Sequence, residues 1–222
     1  MARGRARGYD DQRGQILARA AGLFARQGYT GTSMNEVAEA CGISKPALYH
    51  YVQDKHQLLV EIAAAHIARL SALVESVDDR AEDPEARLRR LIAAFVAVYA
   101  SSQAEHRVLT EDVRFLAPAE KKRILDGERR VVAAFAGTIV AARPELRDAD
   151  LAKPLAMLLF GMMNWMFTWL RPDGPLGADE VARLVADLFF GGLGAVRVPP
   201  RPRRPGAARP RAAAFAAPVT SR

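Results

Sequence analysis

Between Gly42 and Leu59 the chain reads GISKPALYHYVQDKHQLL, which sets Ser44, Lys45, Tyr49, His50, Tyr51 and Lys55 close together. Hydroxyls and ammonium groups at this density hold phosphate oxygens, while side chains at the start of a docked helix reach base edges. The surfaces of Pro46 and Ala47 can meet thymine methyl groups. The mixture carries too many donors, cations and rings for a merely solvated helix face. Taken singly its members are ordinary: either tyrosine could wedge a helix against its neighbour, and solvated lysines are common.

Catalytic and metal chemistry find little support. His50, His56, His66 and His106 lack a close metal-ligand spacing, there is no GxSxG or phosphate-cradling glycine loop, and Glu111 with Asp112 reads as a helix end. We therefore expect no enzyme activity, no metal and no cofactor. The single cysteine, Cys41, excludes an intrachain disulfide, suits a reducing interior and is read as a packing residue. A cytoplasmic location is expected.

The elements that must position the cluster are helices. Apolar residues recur at helical spacing and no strand-like alternation occurs, so the fold class is all-α. Ile16, Leu17, Ala20, Ala21 and Phe24 stripe a first helix that Gly28 should stop. Ser33 and Glu36 fit a capping box that starts a short second helix, broken at Gly42. A third begins after Ser44 with Pro46 in its first turn and is expected to end near Val52. Asp54 and Gln57 cap a long fourth helix. Further helices are expected from Pro84, over His106 to Val113, from Pro118 to about Ala142, from about Ala149 to Leu170, and from Ala178 to Leu193. Two short helices joined at a glycine are the sequence form of a helix-turn-helix. Val37, Ile43 and Leu48 supply its shared core.

The 222 residues carry a net charge of +7, but the seven arginines from Arg197 onward account for all of it. Residues 1 to 60 stand at +3 and residues 61 to 196 at −3, so the body is mildly polarised rather than basic. The domains expected are 1–58, the helix-turn-helix head; 59–196, a larger helical body; and 197–222, an Arg/Pro/Ala-rich tail too poor in apolar residues to order. The basic N-terminus runs into acids and is not a secretory signal. LAMLLFGMMNWMFTWL, Leu155 to Leu170, is short for a membrane span and contains Asn164, so a buried helix and no membrane partner are expected.

TGTSMNEVAEACGISKPALYHYVQDKHQLL, Thr30 to Leu59, resembles the DNA-binding signature of the tetracycline-repressor (TetR/AcrR) family of bacterial transcription regulators. The match is specific over about Gln15 to Ile62, with Val52 where phenylalanine is usual and Pro46 where glycine is common. The resemblance implies that Thr32, Ser33, Tyr51 and Lys55 contact phosphates, and that Ser44, Lys45, Pro46, Ala47, Tyr49 and His50 face the major groove of double-stranded DNA. It implies an effector cavity in the body, for which Met157, Phe160, Met163, Trp165, Met166 and Trp169 offer an adaptable lining that Phe95, Tyr99, Phe115 and Phe135 could complete. It also implies a homodimer through the last two helices, with Val181, Leu184, Val185, Leu188 and Phe189 on the last, and hence an inverted-repeat operator. A repressor released by a small lipophilic or acyl-CoA-like effector is the function implied. Arg107, Arg114, Lys121, Lys122 and Arg123 could hold such a ligand's phosphates. A helical lipid carrier or scaffold is the alternative, and it would have no use for the Ser44 to Lys55 surface.

Overall fold

Helical periodicity becomes ten α-helices and no strand among the described residues, which in this computed structural model are 2–77, 83–147, 149–171 and 173–197. In chain order they are α1 (Ala2–Gly31), α2 (Met34–Ala40), α3 (Lys45–Leu48), α4 (Lys55–Val77), α5 (Pro84–Ser101), α6 (Gln103–Glu111), α7 (Pro118–Ala142), α8 (Ala152–Asn164), α9 (Met166–Trp169) and α10 (Ala178–Leu193). The tail expected to be disordered lies outside the described residues, apart from Arg197.

Local chemistry sets the helix ends. Gly28 takes φ 81° inside α1, where its missing Cβ removes the left-handed penalty, and the last turn of α1 follows that break. Ser33 and Glu36 exchange hydrogen bonds: the Glu36 N–H donates to Ser33 Oγ at 3.3 Å and the Ser33 N–H to Glu36 Oε2 at 2.7 Å. Gly42, at φ 65°, makes the turn between α2 and α3. Ser44 Oγ caps α3 by accepting from the Ala47 N–H at 3.3 Å, and Asp54 Oδ1 caps α4 by accepting from the Gln57 N–H at 2.7 Å.

α4 is the axis of the body. Leu58, Leu59, Ile62, Ala63, His66, Ile67 and Leu70 are buried along it against α1, α5, α6 and α7, and it runs through the expected domain boundary at residue 58. It is also the one described helix long and apolar enough to cross a membrane. In the body Phe95, Phe135 and Phe160 form an aromatic cluster, with Phe95 and Phe135 edge to face at 4.9 Å between ring centres and Phe135 and Phe160 at 4.8 Å.

Two expected elements differ. The third helix ends at Leu48, and Tyr49 to Val52 continue only as a hydrogen-bonded turn closed by Tyr51 and Val52 N–H bonds to the Leu48 carbonyl. The single apolar helix expected from Ala149 to Leu170 is two, broken at Trp165. The physical reason lies outside it. His106 Nε2 sits 3.1 Å from the Asn164 carbonyl and takes that acceptor out of the helical ladder, so the Thr168 N–H turns to the Trp165 carbonyl at 3.0 Å.

Gly127 marks the tightest crossing, since a Cβ there would lie 2.7 Å from Ile67 Cγ1 on α4. Gly127→Ala should lower stability by about 1–3 kcal/mol through overpacking, read as a reduced urea midpoint at unchanged m.

Candidate nucleic-acid interface and ligand cavity

Leu48 and Val52 are buried under α3 while Ser44, Lys45, Pro46, Tyr49 and His50 are exposed, with Tyr49 at 45%. Ala47 is half-buried. Ser33 at the start of α2 is exposed as well, and α2 packs on α3. The N-terminal ends of helices suit phosphate, and exposed hydroxyl, ammonium and ring groups beside them suit a groove.

Three residues given phosphate-contact roles are held inward. Thr32 is buried and its hydroxyl donates to the Gly28 carbonyl at 2.9 Å, because the break at Gly28 leaves that acceptor without a helical donor. Lys55 is committed as well: its Nζ donates to the Tyr29 and Thr32 carbonyls at 2.8 and 2.7 Å, lies 3.4 Å from the Thr30 carbonyl and sits over the Tyr29 ring at 4.6 Å. Tyr51 stacks on Tyr9 of α1 at 4.8 Å, and the Tyr9 hydroxyl donates to the His50 carbonyl at 3.3 Å. Tyr51 is thus the wedge of the tyrosine pair and Tyr49 the outward ring.

Head and body meet at Tyr29. Its ring packs on Phe24 edge to face at 5.3 Å and on Phe115 at 5.2 Å. Phe115 belongs to the 3₁₀ turn Val113–Phe115 that follows α6. Asp112, just before it, is buried. Burial and then the Glu111 charge push its carboxyl above the usual range, with the Tyr29 backbone N–H among the groups opposing. His56 of α4 adds a second tie, 2.8 Å from Glu120 of α7.

The body contains a cavity of about 270 Å³ between α4, α5, α6, α7 and α8. Tyr99, Met157 and Phe160 line it as expected, together with His106, Thr110, Val131 and Asn164. Leu125, Glu128, Val132 and Met157 also line an outer groove of about 900 Å³, which carries Arg147, Lys153 and Asp150 together with Arg129, itself paired with Asp126 at 2.6 Å. The other expected lining residues stand elsewhere. Phe95, Phe135, Met163 and Met166 are fully buried packing residues behind the wall, and Phe115 belongs to the Tyr29 contact. Trp165 and Trp169, at 53% and 50% exposure, lie on the outside because the break at Trp165 rotates them away. The expected phosphate cations are also placed differently: Arg107 pairs with Glu111 and Lys122 with Asp126, while Arg114 lies over the Phe115 ring.

Sequence reasoning missed a buried histidine pair. His66 Nε2 lies 3.3 Å from His106 Nδ1. Because His106 Nε2–H donates to the Asn164 carbonyl, its Nδ1 is the acceptor and His66 donates. Burial holds both imidazoles neutral, at about 4 against the usual 6.5; the His106 and Arg69 charges add to this for His66. The signal was present in the sequence, since His66 occupies the apolar register set by Ile62, Ile67 and Leu70. Among the described residues no group of three metal-ligating side chains occurs.

Residues 81–193 match the family model for a tetracyclin repressor-like C-terminal domain, and residues 16–62 that of the bacterial regulatory proteins of the tetR family. The chain belongs to the TetR family. It is a ligand-responsive, DNA-binding regulator of transcription, and the head described above is that family's helix-turn-helix. The chain is 26% identical to the HTH-type transcriptional activator FasR of Mycolicibacterium smegmatis, over 83% of this chain and 84% of that one. Among solved structures, a TetR-family regulator from Bordetella parapertussis is 32% identical with TM-score 0.77, covering 83% of this chain and 97% of the other. AibR, solved in complex with isovaleryl coenzyme A and operator DNA, is 27% identical with TM-score 0.70, covering 81% of this chain and 98% of the other.

For a TetR regulator with this joint, Tyr51→Ala should lower stability by about 1–2 kcal/mol through the lost stack, whereas Tyr49→Ala should leave thermal stability unchanged and weaken DNA binding; paired melts and fluorescence anisotropy check both. The histidine pair sets a pH dependence. Both folded-state values lie below the unfolded one, so the unfolded chain binds more protons between about pH 6.5 and 4 and stability falls as pH drops through that window. The loss should be roughly 5 kcal/mol for the two groups together, read from urea midpoints at pH 7 and 4.5, and should shrink in His66→Gln.

Proposed function

We propose that the protein is a homodimeric repressor that binds an inverted-repeat operator through two α3 faces and leaves it when an effector with an apolar tail and an anionic head enters the body. The observation that carries this reading is the pairing of an apolar inner cavity with an outer groove rimmed by Arg129, Arg147 and Lys153. An acyl thioester of coenzyme A has the required shape, with phosphates at the rim and the acyl chain inside. AibR's complex with isovaleryl coenzyme A supports that class, and the repressors named KstR2 among the relatives support repression, although FasR is an activator. Such a protein works in the cytoplasm, beside the chromosome.

The dimer face is supported by what α8 and α10 leave uncovered. Val181, Val185 and Phe189 turn inward, where α10 packs on α5, whereas Leu184 and Leu188 are 50% and 69% exposed. Leu158, Trp165 and Trp169 add further exposed apolar surface on α8 and α9. A two-fold axis through this region would pair α8 and α10 with their copies as a four-helix interface and set two α3 faces on one side of a duplex. The half-sites would then be one helical turn, about 34 Å, or a multiple apart.

The mechanism follows from the joint. α6 and its terminal turn line the cavity through Thr110 and Val113 and reach the head through Phe115 and Tyr29. An effector that repacks this wall shifts α6 against α1 and changes the separation of the two α3 faces. Ligand and operator then oppose each other by linkage.

Anisotropy on an inverted repeat from upstream of the gene should show saturable binding that octanoyl-CoA weakens at least fivefold. Leu188→Glu should give a monomer by sedimentation, with stability within about 0.5 kcal/mol of wild type and operator affinity lowered more than tenfold. A dimer unaffected by Leu188→Glu would sink the proposed interface.

A further inference from the structure

The inner end of the cavity is not uniformly apolar, and its polar groups lack partners. The Asn164 side-chain amide makes no hydrogen bond within the described structure, and its Oδ1 is fully buried. Tyr99 is buried, its ring stacked on His106 at 3.8 Å, and its hydroxyl finds no protein partner among the described residues. His106 ties the two together, since its Nε2–H donates to the Asn164 backbone carbonyl at 3.1 Å. Asn164 and Tyr99 line the inner cavity and are absent from the outer groove, so they stand at its far end from the Arg129, Arg147 and Lys153 rim.

An acyl chain of methylenes alone would leave both groups dry and unpaired, which is the costly arrangement for buried polar atoms. From this we infer that the cavity selects an effector whose apolar tail carries a hydroxyl at its inner end, placed to pair with the Tyr99 hydroxyl beside the Asn164 side chain. This rests on the reading of the cavity as the effector site. The charge pattern excludes an anion at the same place. The inner lining holds one acid, Glu128, whose carboxyl burial pushes above the usual range, and no lysine or arginine, so nothing there would pair with a carboxylate. The His66–His106 pair is neutral above about pH 4 and supplies no compensating cation. A neutral hydroxyl meets all three constraints.

Size bounds the tail. At about 30 Å³ per non-hydrogen atom, taking water's share of liquid volume as the guide, 270 Å³ holds about nine atoms. An eight-carbon chain with a terminal hydroxyl is of that size.

The test is calorimetric titration of the full-length protein with octanoyl-CoA and 8-hydroxyoctanoyl-CoA, run beside cyclohexanol and methylcyclohexane, which differ by a hydroxyl for a methyl. The hydroxylated member of each pair should bind at least tenfold more tightly. That preference, read as the ratio of the two affinities within each variant, should vanish in Tyr99→Phe and in Asn164→Leu. Equal affinities within both pairs, or a preference that survives both substitutions, overturn the inference and leave the acyl thioester reading intact. If neither thioester binds but cyclohexanol is still preferred and the preference needs Tyr99 and Asn164, the hydroxyl inference stands and the coenzyme A reading falls.

Discussion

The three carbonyls at the end of α1 need donors, and one ammonium supplies them. Gly28 interrupts the helix at a left-handed φ, so the acceptors that follow have no ladder partners, and Lys55 at the head of α4 reaches back to those of Tyr29, Thr30 and Thr32. A charged donor satisfying partly buried carbonyls is among the stronger hydrogen-bond arrangements. It fixes where α1 ends relative to where α4 begins, and Thr32, held by its own bond to Gly28, then presents Ser33 as the cap of α2. The orientation of the α2–α3 pair therefore descends from this contact. So does the path to the body, because the Tyr29 ring is held between Lys55, Phe24 and Phe115.

A regulator arranged this way does not need a strongly basic head. Residues 1 to 60 carry only a small excess of positive charge, and on the proposed reading DNA affinity would rest on the exposed Ser33, Ser44, Lys45, Tyr49 and His50 rather than on bulk attraction. The body follows the same economy. Its cavity is apolar over most of its wall, and Arg129, Arg147 and Lys153 stand in the outer groove beside Asp150.

Much of the fold was legible in the sequence because its signals are local. Capping boxes, Pro46 and Pro84 in first turns, Gly28 and Gly42, and the apolar stripes of α1, α4, α5 and α10 each follow from a few neighbouring residues. The exposure of Ser44, Lys45, Pro46, Tyr49 and His50 around a buried Leu48 was legible for the same reason. What failed was non-local. Nothing near Trp165 announces that His106, far away in the chain, would capture the Asn164 carbonyl and break the helix, so Trp165 and Trp169 were placed in a cavity they turn away from. The hydrogen bonds of Lys55 and Thr32 were not legible because the acceptors that claim them exist only once α1 has been broken. The rim cations were missed because Arg129 lies on α7 whereas Arg147 and Lys153 lie in and after the turn that follows it, and only packing brings them together.

The account stands or falls on whether the cavity speaks to the head through Phe115 and Tyr29. The decisive measurement is the operator dissociation constant with and without saturating effector, octanoyl-CoA or its 8-hydroxy counterpart, in wild type and in Phe115→Leu. We predict that the variant keeps both separate affinities within about threefold, while the factor by which effector weakens operator binding, at least fivefold in wild type, falls close to one. A variant that binds both partners and retains the full wild-type coupling would contradict the account.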